Sequence, residues 1–354
     1  MKIEEIDKNF KAVERSGSVM QEITLPSDRV DLYGVYYEPS EGRFRRLPNY
    51  VAEKVNDGVK NLATNTAGGR IRFATNSSAL EIEVGFNGMT RFSHMPLTGS
   101  GGVSLVEEDG EKSYFVGIFR PDWNKPTGYS GRINLRGGMR YYTLYFPLYN
   151  DVDSLTLYVD EGAELYHGLP YRDEKPILYY GSSITQGGCA SRPDTCYQAH
   201  IAKWNNIDFI NLGFSGSARG ESAMADYLAS IPCSLFVCDY DHNAPSAEHL
   251  NNTHYALYER FREAQPDTPV LFVTKPDCDY DKNADDRRKV IRASFSKAKA
   301  SGDDKVYFLD GKLFYGRGDR TIYAVDGCHP TDHGFYRMAK RIYAEMIKIN
   351  PKFK

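Results

Sequence analysis

Residues 176–188 read PILYYGSSITQGG. Ile177, Leu178, Tyr179 and Tyr180 make an apolar run without a polar break. Gly181 ends the run, two serines follow, and Ile184-Thr185 opens a new pattern. A short continuous apolar run closed by a turn residue is the mark of a strand buried on both faces. A serine directly after such a turn has two uses. It caps the N-terminus of a helix, or it is a nucleophile held where a strand passes into a helix. The surrounding sequence has to separate these.

The same alternation continues to the C-terminus. TCYQAHIAKWNN is a helix and IDFINLGFSG a strand running into a loop. ESAMADYLASIP is a helix, SLFVCDYD a strand, HYALYERFREAQPD a helix, PVLFVTKPD a strand, and DDRRKVIRASFSKAKASGD a helix. KVYFLDG is a strand and DHGFYRMAKRIYAEMIKI the last helix. Strands alternating with helices imply a parallel sheet covered on both faces, a three-layer α/β domain.

Residues 20–165 follow another grammar. GRIRFATNSSALEIEVGF holds two short strands, Arg70–Ala74 and Ala79–Phe86, around Thr75-Asn76-Ser77-Ser78; the second alternates Leu80, Ile82, Val84 and Phe86 with Glu81, Glu83 and Gly85. Such period-2 strands between Gly and Asn turns predict an all-β sandwich or jelly roll. The polar stretch LYHGLPYRDEKP, residues 165–176, is the best linker. The expectation is a β-sandwich accessory domain over 1–168 and an α/β domain over 172–354. The 26 Tyr and 18 Phe cluster in runs such as YYTLYFPLY, which suit sheet faces better than sugar-stacking surfaces.

Bulk properties narrow the class. The chain has 354 residues, enough for two cores. A net charge of −3 gives no reason to expect nucleic acid or an acidic membrane as partner. No stretch approaches the ~18 apolar residues of a membrane span, and MKIEEIDKNFKAVERSG lacks the apolar core of a signal peptide. A cytoplasmic location is therefore expected. All six cysteines lie between Cys189 and Cys328 and form no CxxC pair, so free thiols are expected and a structural zinc site is not.

Ligand sites in parallel α/β folds lie beyond the carboxyl ends of the strands. Four polar or Gly-rich segments fall there: Gly181-Ser182-Ser183-Ile184-Thr185, Asn211 through Gly216, Asp239-Tyr240-Asp241-His242-Asn243, and Asp326-Gly327-Cys328-His329-Pro330. A serine hydroxyl needs a base to become a nucleophile. His329 can be that base, and Asp326 can fix its tautomer and stabilise the imidazolium. The tetrahedral intermediate needs donors aimed at its oxyanion. The Ser183 amide, the Gly216 amide and the Asn243 side chain are the candidates.

Taken together, the four blocks resemble the SGNH hydrolases, the superfamily that includes the GDSL-type esterases and lipases. The likeness covers residues 176–345 and implies a flavodoxin-like α/β catalytic domain. It places the nucleophile on Ser183, the acid and base on Asp326 and His329, and the oxyanion groups on Gly216 and Asn243. Ser182 replaces the aspartate that usually precedes the nucleophile, leaving two adjacent candidate serines. Ser183 is preferred because it keeps the spacing to Gly181 and Ile184-Thr185. The third block departs more, with Asp241 and His242 before Asn243. The first half, with DLYGVYYE, resembles the jelly-roll domain of a subset of bacterial carbohydrate esterases.

The resemblance implies a serine esterase without cofactor or metal, acting on small acyl esters, O-acetylated carbohydrates first. A short-chain acyl esterase or lysophospholipase-like enzyme, and a carbohydrate-binding protein with a degenerate hydrolase domain, are the alternatives. No nucleic-acid or membrane partner is expected, and homo-oligomers are left open. A rival metal reading groups Asp326, His329 and His333, or Asp239, Asp241 and His242, but gives the Gly-Ser-Ser segment no task. His94, His167, His200, His249 and His254 are read as polar or packing residues, and Cys189, Cys196 and Cys328 as packing residues. Lys275-Pro276-Asp277 is a weak candidate for the substrate rim.

Overall fold

The computed structural model describes residues 20–172, 175–277 and 284–354. The segment Met1–Gly17, on which the expectation of no leader rests, and Cys278 lie outside it. Among the described residues no helix is long and apolar enough to cross a membrane.

The C-terminal half is built on five parallel strands: β13 (Ile177–Gly181), β14 (Phe209–Gly213), β15 (Leu235–Asp239), β16 (Val270–Val273) and β17 (Val306–Leu309). Their spatial order, β14-β13-β15-β16-β17, is the doubly wound arrangement with its switch point beside β13. Side chains alternate between two cores. Ile177, Tyr179, Val237, Leu271 and Val273 face α5 (Tyr197–Asn205) and α9 (Asp332–Ile349). Leu178, Tyr180, Phe236, Phe272 and Val270 face α6 (Ser222–Ser230), α7 (Ala247–Ala264) and α8 (Ala284–Ala300). Helix α9 shows why the sequence folds this way. Phe335, Met338, Ala339, Ile342 and Met346 recur at helical spacing on its buried face. Each large apolar side chain buried there contributes ~1.5–3 kcal/mol. Thr331 caps the helix by accepting the Gly334 amide at 3.2 Å.

The N-terminal half is an antiparallel sandwich. One sheet orders β1 (Met20–Thr24), β11 (Ser154–Asp160), β6 (Ala79–Gly85) and β9 (Gly128–Asn134). The other orders β12 (Leu165–His167), β5 (Arg70–Thr75), β10 (Arg140–Tyr145), β7 (Val103–Glu108) and β8 (Ser113–Phe119), with β2 (Asp31–Tyr33) also pairing to β5. The consecutive strands β5 and β6 fall in different sheets, so Thr75–Ser78 is a crossover rather than a hairpin turn. The inward residues are those of the period-2 pattern: Leu80, Ile82 and Val84 meet Ile71, Phe73, Leu105 and Leu144.

Strand β5 is buried on both faces. Its outer face carries Arg70 and Arg72 against the C-terminal half. Arg70 donates to Tyr171 Oη at 2.6 Å, to Gly68 O at 2.6 Å and to Phe209 O at 3.2 Å, and pairs with Asp208. Arg72 stacks on Tyr171 and reaches Asn206 and Glu108.

Among the described residues a short hairpin of β3 (Tyr36–Glu38) and β4 (Arg43–Arg45) and three helices, α1 (Asn49–Val55), α2 (Asp57–Leu62) and the one-turn α3 (Leu97–Ser100), interrupt the two sheets. Asn56 ends α1 and caps α2 by accepting the Val59 amide at 2.9 Å. Leu47, Val51, Ala52, Val59 and Ala63 pack into the core formed by β13, α6 and α7. This segment of the first half thus completes a layer of the second.

Candidate active site

Gly181 closes β13 where a Cβ would overlap Thr185 and the Asp239 carbonyl, so only glycine fits. The next two serines divide the two tasks the sequence left open. Ser182 is fully buried, and its hydroxyl caps the short helix α4 (Ser183–Gln186) by accepting the Ile184 amide at 3.1 Å. Aspartate, usual at this position in the SGNH pattern, is an equally good cap. Ser183 is free of capping duty. Its Oγ lies 2.9 Å from His329 Nε2.

His329 is oriented by Asp326. The carboxylate Oδ2 lies 2.7 Å from Nδ1, and Oδ1 accepts the amides of Cys328 at 3.0 Å and His329 at 2.8 Å. A carboxylate accepts only, so Nδ1 carries the proton and Nε2 is left as acceptor for the serine hydroxyl. Gly327, at φ +74°, permits the tight turn. Burial pushes the Asp326 carboxyl up, but the His329 amide and imidazole and the Cys328 amide outweigh it and hold it below the ordinary carboxylate value. The loop is pinned at both ends. Val325 N donates to His329 O at 2.8 Å, and Asp332, at the start of α9, accepts from Ser191 N at 2.8 Å and Thr195 Oγ1 at 2.7 Å.

The second block borders this relay. Gly216 is exposed at φ +68°, a conformation that favours glycine. Asn211 donates to Thr185 O at 2.8 Å and accepts the Gly213 amide at 2.9 Å. Gln186 accepts the Ser215 amide at 3.0 Å and donates to Asn65 Oδ1 and Leu148 O. Helix α4 and the loop after β14 are therefore tied together. In the third block, Asn243 sits in a tight turn, Asp241–Asn243, after β15. The buried Asp241 accepts the Lys275 amide at 3.1 Å. His242 lies 3.5 Å from Asp241 and beside the Cys328 thiol, next to the His329 loop. Burial disfavours its cationic form, yet Asp241 and Cys328 raise it to about 9. Asp239, at the end of β15, is pushed up to about 8 by burial and by Asp241. Among the described residues neither Gly216 nor Asn243 hydrogen-bonds the Ser183–His329–Asp326 relay.

Other sequence candidates fall elsewhere. Lys275 is buried, and Asp277 pairs with Arg288 and Arg320 at 3.5 Å, so this segment braces the β15 and β16 loops rather than offering a free rim. His333 packs edge-on against Tyr323. Among the described residues neither carboxylate–histidine grouping considered for a metal gathers its ligand atoms.

The first half contributes groups that the sequence did not signal. Tyr149 donates to the Ser183 carbonyl at 3.1 Å. Arg46 donates to Asn211 O at 3.1 Å and Gly213 O at 2.8 Å at the end of β14, and to Asn65 O and Leu62 O on its own side. The His94 ring lies 5.5 Å from that of His329. None of these has a local pattern, because each reaches the site across 30 or more residues of chain.

Comparison with known proteins completes the picture. Residues 174–348 match the GDSL-like lipase/acylhydrolase family, and residues 24–165 match the N-terminus of SGNH-hydrolase-type esterases. No curated protein matches. A chain from Bacteroides ovatus described as a GDSL-like lipase superposes with TM-score 0.84 at 26% identity, over 93% of this chain and 98% of that one. A salicylyl-acyltransferase from a tetracycline biosynthetic pathway gives 0.76 at 18% identity, over 93% and 97%. A family two carbohydrate esterase from Clostridium thermocellum, in complex with cellohexaose, gives 0.62 at 14% identity, over 93% and 100%. With both halves matched in order, the chain belongs to the GDSL-like, SGNH-type esterases and is a carboxylic ester hydrolase.

Proposed function

We propose that this enzyme removes small acyl groups, acetyl first, from hydroxyls of carbohydrates, with Ser183 as nucleophile, His329 as base and Asp326 as its orienting acid. In this reading residues 1–168 are the accessory β domain and 172–354 the catalytic domain. The observation that carries it is the continuous hydrogen-bonded chain from Ser183 Oγ through both nitrogens of His329 to Asp326.

Nε2 takes the serine proton as Oγ attacks the ester carbonyl. Asp326 stabilises the imidazolium formed. The oxyanion is met by the Ser183 amide at the start of α4, the Gly216 amide and Asn243 Nδ2, each typically worth ~3–4 kcal/mol. The imidazolium then protonates the departing sugar oxygen, leaving an acyl-Ser183. Water, activated by the same nitrogen, releases the acid. The carbohydrate assignment draws support from the shared two-domain architecture of the Clostridium thermocellum esterase and of an acetyl xylan esterase from Butyrivibrio proteoclasticus. The transferase neighbour favours a second reading, in which an alcohol other than water takes the acyl group.

The test compares acetylated oligosaccharides with longer acyl esters, each with and without added alcohol acceptors, after mapping a fluorophosphonate label. Label on Ser183 with acetate release from sugars is expected. Label on Ser182 overturns the assignment, faster turnover of long acyl chains overturns the substrate class, and no hydrolysis of any ester favours a carbohydrate-binding role.

A further inference from the structure

Three potential metal ligands from distant parts of the chain meet beside the relay. His94 Nδ1 or Nε2, the Cys189 thiol and a His329 nitrogen lie within 4.8 Å of one another, the one such group of His, Cys and carboxylates among the described residues. His94 belongs to the loop between β6 and β7 in the first half. Cys189 follows α4, and His329 precedes α9. Cys189 is held at φ +72°, a conformation that non-glycine residues rarely adopt and that recurs at functional sites. Its thiol donates a hydrogen bond to the His94 carbonyl at 3.4 Å. A Cβ placed on the neighbouring Gly188 would lie 3.2 Å from His329 Cδ2, so the ring edge carrying Cδ2 and Nε2 faces the Gly188-Cys189 segment.

We propose that His94, Cys189 and His329 Nε2 form a zinc site that silences the enzyme. This does not make zinc part of catalysis; the inhibitory consequence rests on the assignment of His329 as base, whereas the binding does not. Two imidazoles and a thiolate are a zinc donor set that leaves a fourth position for water. Bond lengths of about 2.0–2.3 Å in a tetrahedron place ligand atoms about 3.3–3.8 Å apart. The exposed His94 side chain can supply the needed approach by rotation, since no hydrogen bond to its ring nitrogens occurs among the described residues. Asp326 on Nδ1 already provides the carboxylate that orients a zinc-bound imidazole. On binding, the Cys189 proton leaves to solvent and the Nε2 lone pair bonds the metal. That lone pair can no longer accept the Ser183 proton, so hydrolysis stops until a chelator removes the ion.

The test uses the full chain and two readouts. Cobalt(II) should give a near-ultraviolet thiolate-to-cobalt band in wild-type and in Ser183→Ala, and lose it in Cys189→Ser. Zinc should inhibit ester hydrolysis reversibly by EDTA. Cys189→Ser and His94→Gln should keep metal-free hydrolysis but need at least ~10-fold more zinc for half-inhibition, the loss that even an outer-sphere change brings to a metal site. Absence of the cobalt band, or equal zinc sensitivity in wild-type and both variants, overturns the proposal. A cobalt band in a chain that hydrolyses no ester overturns the esterase assignment and leaves the metal site standing.

Discussion

The Ser183 relay follows β13, and Arg46 and Arg70 form a seam along the neighbouring strand β14, but the two are bonded on opposite terms. At the seam, Arg46 gives its guanidinium to four backbone carbonyls, two from each half of the chain. Arg70 does the same with two carbonyls, a phenol and a carboxylate. In the relay, Ser183 and His329 share one hydrogen bond, and the Asp326 side chain is 36% exposed. Saturated donors fix geometry, whereas the single Ser183–His329 bond leaves one proton free to move. Within the seam the partners also decide the charge. Burial lowers Arg46 to about 9, with Tyr149 and Asp151 offsetting only part of it. Burial works against Arg70 too, but Tyr171 and Asp208 outweigh it and hold it firmly cationic.

The largest expected effects fall on the relay. Ser183→Ala and His329→Ala should each lower kcat by at least ~10⁴-fold on an activated acetate ester, since nucleophile and base act as one unit. Asp326→Asn should cost ~10²-fold or more in kcat with little change in KM, because it spoils the tautomer rather than substrate binding. Circular dichroism should show all three folded. If Asp326→Asn and His329→Ala keep more than a tenth of kcat/KM, the relay is only a loop contact.

The seam should answer in stability instead. Arg46→Met removes the donors from four buried carbonyls and is expected to cost about 3 kcal/mol in urea unfolding. Its kcat should fall far less than that of Asp326→Asn, and a larger loss would erase the contrast between the regions.

Asp239 tests burial that its partners Thr185, Tyr197 and His242 do not offset. Its folded value of about 8 lies above the ~3.9 of an unfolded aspartate. A raised value means that stability is full below the unfolded pKa and is lost as pH rises through the folded one. Asp239→Asn should therefore gain stability over wild-type progressively from pH ~4 to ~8 and level off above, read as the difference in Tm. A flat difference would show that Asp239 is ionised in the folded state. The smallest effect belongs to Ser182→Ala. Loss of the α4 cap should cost ~1 kcal/mol and leave most of kcat.

The parallel half was legible because buried strands such as Ile177–Tyr180 and the helical spacing of Phe335, Met338, Ile342 and Met346 are local patterns. The four strand-end blocks were legible for the same reason, since Asp326 and His329 lie three residues apart. Helices α1 and α2 leave a trace too, as Val51, Val55, Val59 and Leu62 recur at near-helical spacing, but each is short and stands among strands whose pattern hides it. Arg46, Tyr149 and His94 were not readable at all. An arginine that bonds carbonyls 165 and 167 residues away leaves no periodic trace. Nor did Ser182 declare its task until its hydroxyl was seen on the Ile184 amide.

The packing of α1 and α2 against α6 bears on inheritance. Leu47, Val51 and Val59 are as much part of the second half's interior as Phe214 and Leu228 are. A gene fragment encoding the esterase half alone would expose this apolar face and strip the β14 carbonyls of their arginine. Recombination at the linker would therefore yield a chain prone to self-association rather than a portable module. The two halves are bound to be exchanged, duplicated or lost together, and drift in residues 46–63 is constrained by partners more than 140 positions away.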